Sequence, residues 1–349
     1  RVRFPATLRR PTTYLDPGVP DSARQLAWRG TSLVGSVKSD RLIEVIAFGD
    51  HLAEARSATR AAVRRAIASS VAPWSARSAA IVSAILIGDR AGLEDAVERK
   101  LQEAGTYHVI AISGGNIAIL AGLCLFAMRA VRIGPRLAAL LVIAMLCAYA
   151  MVVEGGSSVA RATLMATIYF GARMWDQQAR AANVAALAAV ICFCLQPLVI
   201  VDAGFALTFG ATLGIIIGMS VGMSGGTSRG MPRLTRVPAM SPWVRPAALL
   251  FGASLCAEIA LLPVNAFIFS RVTFAGLLVN FAAIPLMTVV QVAGMIAVAF
   301  AACVPEVARW AGWAAHLGVE GIIGSAGFVD VVPWITRRLP PPSLWIVGA

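Results

Sequence analysis

The stretch from Gly88 to Leu120, GDRAGLEDAVERKLQEAGTYHVIAISGGNIAIL, passes from water-facing to lipid-facing chemistry within a few helical turns. Leu93 to Ala104 reads as a charged amphipathic helix. His108, Ser113, Gly114, Gly115 and Asn116 then gather polar groups where a long apolar run begins. The first N–H groups of any helix lack partners within it. This step therefore sets polar side chains and open backbone donors at the head of a membrane span, which is how a conduit is lined. It also fits a plain helix start, with Ser113 as cap and the glycines allowing close packing.

Outward from this stretch the chain is strongly apolar. Of 349 residues, 58% are hydrophobic and 14% charged, and the mean hydropathy is +0.76, more apolar surface than one water-soluble core could hide. An all-α polytopic membrane protein follows. Spans are expected at 109–129, 136–153, 158–175, 181–201, 203–223, 246–269, 274–303 and 307–332, about eight in all. The seventh holds Pro285 and Gly294 and is expected to kink or split into half-helices. Ala79 to Ile87 is apolar but far short of the roughly 20 residues a span needs, so it should dip in or lie flat. Irregular backbone at membrane depth survives only where protein or water satisfies it, so a cavity is implied.

Ahead of the spans, residues 1–48 read as the end of an external β domain. Asp16-Pro17-Gly18 is a turn, a short helix starts at Pro20-Asp21 and ends near Trp28-Arg29-Gly30, and Thr31 to Val37 and Arg41 to Phe48 are two strands joined at Ser39-Asp40. Residues 49–78 form a basic interfacial helix and linker with Leu52, Thr59, Val63 and Ile67 on one side. Pro73-Trp74 ends it, and Trp74 suits a bilayer surface. Residues 79–349 read as the transmembrane domain. The missing initiator methionine and the apolar start at Ser343 to Ala349 are read as signs of a fragment, truncated at its C-terminal end.

The formal charge of +12 is almost all arginine, since Lys38 and Lys100 are the only lysines. Arginine keeps its charge when desolvated and pairs with phosphate, so the bias suits membrane lipids or a polyanion without separating them. Arg129, Arg132 and Arg136, then Arg173 and Arg180, then Arg229, Arg233, Arg236 and Arg245 fall in alternate loops and mark those loops as cytoplasmic. The N-terminal segment is then external. Arg337-Arg338 falls on the opposite side from this rule.

Within the spans, polar groups are functional candidates. Arg161 begins the third span, where a charge costs on the order of 3 kcal/mol. It requires an acidic partner, Glu154 or Asp202, or a phosphate. Glu154, Asp202, Glu258, Asn265 and Gln291 are read as buried polar residues with structural or coupling roles. His51, His108 and His316 are too scattered for a metal site, and the six cysteines lie in apolar runs and read as packing residues. No catalytic constellation, metal site or cofactor motif is found.

Four ordered motifs resemble the ComEC family of competence proteins. The Gly88–Leu120 stretch is similar to its core motif, and Arg161-Ala162-Thr163-Leu164-Met165 to its Arg-Ala-x-x-Met. Asp202-Ala203-Gly204-Phe205-Ala206-Leu207-Thr208-Phe209 resembles Asp-x-Gly-Phe-x-Leu-Ser-Phe, and Pro263 to Phe269 with Asn280 to Leu286 resembles the two segments that follow. The family's histidine after Ser-Gly-Leu is replaced here by Gly115-Asn116. The resemblance implies an OB-like domain before the spans and a channel for single-stranded DNA during natural transformation. His108, Ser113, Gly114, Gly115, Asn116, Arg161 and Asn280 are the implied channel and DNA contacts.

The resemblance further implies a bacterial cytoplasmic (inner) membrane location, a DNA receptor and a cytoplasmic DNA-translocating motor as partners, and it leaves a homodimer open. The metallo-β-lactamase-like domain of many members has no counterpart in these residues, so no nuclease activity is expected of them. The rival reading is an ion-coupled secondary transporter for a small anion or metabolite, using Glu258, Asp202 and Arg161.

Overall fold

The computed structural model describes residues 2–11, 23, 26–27, 30–47, 49–153, 156–223, 244–269, 271–273, 275–328 and 336–338. Short strands open the chain: β1 (Val2–Arg3), β2 (Thr7–Arg9), β3 (Val34–Ser36) and β4 (Glu44–Val45). The two expected strands are present, but they do not pair with each other. β1 pairs with β4 and β2 with β3, both antiparallel, because a 3-10 turn over Asp40–Leu42 separates β3 from β4. The expected turn at Asp16 lies outside the described residues; of the helix expected ahead of Trp28, the described Ala23, Leu26 and Ala27 are helical.

The helices follow as α1 (His51–Ser70), α2 (Ala76–Ile87), α3 (Asp95–Glu103), α4 (Tyr107–Ile110), α5 (Gly114–Ala130), α6 (Pro135–Val152), α7 (Ser157–Met174), α8 (Ala181–Leu195), α9 (Ala203–Met223), α10 (Val244–Phe269), α11 (Ala275–Phe300) and α12 (Pro305–Ala326). β5 (Arg271–Thr273) and β6 (Thr336–Arg338) flank the last two helices and pair antiparallel.

This is an all-α membrane protein. α6, α9, α10 and α11 each carry a stretch long and apolar enough to cross a bilayer. Yet the apolar stretch of α10 is 0% buried within the protein and that of α9 only 6%. Leu137, Leu140, Phe193, Ile217, Ile259 and Leu262 stand exposed. Apolar side chains over that much helical surface find their solvent in hydrocarbon.

Two cores organise the interior. The first joins Ile67 and Val71 with α2, α3, α4, α11 and α12; the second joins α5, α6 and α7 through Ile117, Leu120, Val142, Leu146, Val159 and Phe170. α2 does not lie flat on a surface: Ile81, Val82, Ile85, Leu86 and Ile87 are buried in the first core, each contributing roughly 1.5–3 kcal/mol relative to exposure. Its C-terminal residue is followed by Gly88 with φ 75°, a left-handed cap that glycine adopts without strain. Ser78 Oγ meets His316 Nδ1 at 2.8 Å and pins α2 to α12.

Close approach rather than side-chain bulk joins several of these helices. A Cβ on Gly294 would sit 3.0 Å from Leu86 Cδ1, and one on Gly312 would collide with the Ser70 carbonyl at the end of α1. The expected split of α11 into half-helices does not occur. The helix runs unbroken through Pro285 and Gly294, and its packing against α2 and α12 outweighs the one backbone hydrogen bond a proline removes.

Candidate functional site: the heads of α5, α7 and α9

The chain leaves α4 and breaks at Ala111, extended with ψ 133°, before α5 begins. The Asn116 side chain folds back over this break: its Oδ1 accepts from the Ser113 N–H at 3.2 Å and from the Ser113 hydroxyl at 3.1 Å. Gly114 and Gly115 remain exposed, whereas Asn116 is fully buried. The step is both a helix cap and an open backbone edge.

Two other helices reach this step. The Cβ position of Gly114 lies 3.9 Å from Ala162 on α7, and that of Gly115 lies 3.7 Å from Met287 on α11. Met287 stands twelve residues after Ala275, so the head of α5 meets α11 about 18 Å along its length. One turn further on, Gln291 is fully buried and donates from Nε2 to the Asn116 carbonyl at 2.8 Å. Asn116 Nδ2 and Gln291 Oε1 have no partner in the protein among the described residues. An orphaned buried amide group costs about 1–3 kcal/mol, so the knot is stable only with such a group left over or served by water.

Arg161 occupies the next position along α7 before Ala162. Its side chain is 4% exposed. Nε donates to Thr208 Oγ1 at 3.2 Å, and Nη1 reaches Asp202 Oδ2 at 3.5 Å. Asp202 precedes α9 and is itself 36% exposed. Gly204 makes this geometry available. A Cβ there would sit 2.9 Å from Arg161 Nη2 and 3.0 Å from Asp202 Oδ2, so any larger residue would displace the pair. Of the two acidic partners expected for Arg161, the structure places Asp202 beside it; Glu154 lies outside the described residues.

The other candidates stand apart. His108 is exposed on α4 with Nδ1 3.1 Å from the Gly105 carbonyl. Glu258 on α10 approaches the first turn of α11, its Oε1 3.1 Å from the Cβ position of Gly276, where Asn280 Nδ2 also comes within 3.6 Å. Asn280 precedes Gln291 by eleven residues, about 16 Å along the helix, so it belongs to this second cluster. Asn265 is half-buried on α10. No group of three metal-ligating side chains occurs among the described residues.

Thr208 and Gly204 are contacts of the Arg161–Asp202 pair that side-chain reasoning missed. Both fall in the Asp202–Phe209 motif, where the ComEC pattern has a glycine and a hydroxyl, so the signal was present. Tyr149, whose hydroxyl donates to the Leu86 carbonyl at 2.9 Å, gave no such signal. It joins the second core to the end of α2.

A family model described as "Competence protein" matches residues 85–349, more than half of the chain. A stretch of 132 residues is 32% identical to "ComE operon protein 3" of Bacillus subtilis (strain 168), covering 38% of this chain and 17% of that relative. No solved structure matches.

Proposed function

The chain belongs to the competence-protein family, and from that premise we propose that it forms the membrane conduit through which single-stranded DNA enters the cytoplasm during natural transformation. The observation that carries this reading is the meeting of exposed Gly114 at the head of α5 with Ala162, next to the desolvated Arg161, with exposed Gly115 one residue on. A helix head offers backbone N–H groups and the positive end of the helix dipole, and a guanidinium pairs with phosphate. A strand crossing hydrocarbon is passed along by several modest anion contacts of this kind, since a single tight one would trap it.

In this reading the conduit sits in the bacterial cytoplasmic membrane with residues 1–48 outside. A DNA receptor delivers the strand and a cytoplasmic motor draws it in, for none of the motifs in the sequence binds a nucleotide. The part described here binds and guides; it performs no covalent chemistry.

Vesicles carrying the chain and an interior nuclease test the proposal directly. A labelled single-stranded oligonucleotide should be degraded inside wild-type vesicles and remain intact with Gly115→Leu, which plugs the step. Passage of phosphate or sulfate without passage of the oligonucleotide would replace the conduit with a small-anion transporter. Transformation at wild-type frequency after deletion of the gene would also overturn the reading.

A further inference from the structure

Arg161 is served poorly for a buried guanidinium. Among the described residues, its five N–H donors meet one hydroxyl and one carboxylate oxygen, the latter at 3.5 Å, beyond the roughly 2.7–2.9 Å of a good charge-assisted bond. The carboxylate also keeps 36% of its side chain exposed, so water can solvate it if it leaves. Gly204 lets both groups lie against its backbone, where a Cβ would come within 2.9 Å of Nη2 and 3.0 Å of Asp202 Oδ2. A fully committed structural ion pair would look different: bidentate, short and enclosed on both sides.

We propose that Asp202 is a built-in competitor, a carboxylate that rests against Arg161 and gives way to a phosphate oxygen of the passing strand. This deepens the conduit reading and rests on it. The exchange is balanced in charge: one anion leaves the guanidinium for water as another arrives, and no bond is made or broken. Arg161 is never left bare in a low-dielectric surround, where an unpaired charge is costly. Nor is phosphate held at full strength, because each departure is assisted by the returning carboxylate. The Thr208 hydroxyl keeps Nε oriented through the exchange, which fixes the fork while its outer nitrogens change partner.

The test measures binding of two probes, inorganic phosphate and a short single-stranded oligonucleotide, to the purified full chain in lipid nanodiscs at fixed pH and ionic strength. Asp202→Asn should bind the oligonucleotide about threefold to tenfold more tightly than wild type, the range expected when a partly exposed competing charge is removed. Asp202→Ser, which keeps a small neutral acceptor, should do the same. Asp202→Glu should not, and adding Arg161→Gln to Asp202→Asn should erase the gain. Unchanged or weaker binding of both probes in the two neutral variants overturns the competitor. So does failure of both to fold when adding Arg161→Gln restores folding, since the pair is then structural. Tighter phosphate binding with no change for the oligonucleotide keeps the competitor and removes DNA as its rival, which separates this inference from the conduit.

Discussion

Where α11 packs on α12, glycine meets aliphatic carbon. Gly318 faces Val290 and Gly321 faces Leu286, with Ala283, Val290, Ala315, Val319 and Ile322 buried around them. Where α7 packs on α9, a guanidinium, a carboxylate and a hydroxyl occupy the contact, and Gly204 lets the first two approach its backbone closely. Glycine allows close approach in both places, of aliphatic side chains in the first and of polar ones in the second. The first contact is held by apolar packing, the second by a hydrogen bond and an ion pair.

The contrast breaks most sharply at Gly312. Its missing Cβ faces the Ser70 carbonyl, a backbone atom that cannot rotate away, so Gly312→Leu should cost at least about 3 kcal/mol, the upper range for overpacking. Loss of monodisperse protein in detergent, or a large drop in the denaturant midpoint, checks it. Arg161→Met should behave oppositely. Asp202 can hydrate, so stability in the same assay should change by less than about 1 kcal/mol, while oligonucleotide affinity falls roughly tenfold, the loss of one charge-assisted contact. A large loss of stability instead would make the two regions alike.

Smaller effects sharpen the boundary. Tyr149→Phe removes the hydrogen bond that ties the polar half to α2 and should cost about 1 kcal/mol; hydrogen exchange at the end of α2 should rise while α12 stays protected. The smallest effect is expected at Asp89, in the connection after α2. Burial pushes its carboxyl upward, but the Arg64 hydrogen bond at 2.6 Å, the Ala91 N–H and the charges of Arg64 and Arg60 outweigh this and hold it below its ordinary value of 3.8. A carboxyl lowered on folding stabilises above its unfolded value and loses that contribution as pH falls through the folded one. Protease resistance of the 88–106 connection should therefore drop only below about pH 4, by well under 1 kcal/mol because Arg64 is half exposed. Arg64→Ala should abolish that acid-dependent loss, since the pairing that lowers the carboxyl is gone.

Much of this was legible in the sequence. Apolar runs bounded by Gly, Pro and Arg place α5 to α12 within a few residues, because a bilayer demands length and composition before anything else. Arg161 and Asp202 stand out for the same reason: charges at a span's edge require partners. Depth was harder to read. Nothing in the residues of α2 says whether its largely apolar twelve residues rest on headgroups or fill a core, since either surround accepts them. The strand pairing at the N-terminus was missed because β1 and β2 are two and three residues long, too short for any period to register. The continuity of α11 was missed because proline's local cost is visible in sequence and the neighbours that offset it are not.

The short ladder between β5 and β6 joins Arg271 to Arg338 and Thr273 to Thr336, and α11 and α12 lie between its two rungs. Together they make a closed buckle, fastened at the end opposite the Phe300–Pro305 bend. A hairpin latched at both ends resists prying apart and rotates or slides as one piece. In the proposed conduit a rearrangement would carry α11 and α12 as a single lever, and Gln291, set partway down that lever, would transmit its tilt straight to the threshold at Asn116.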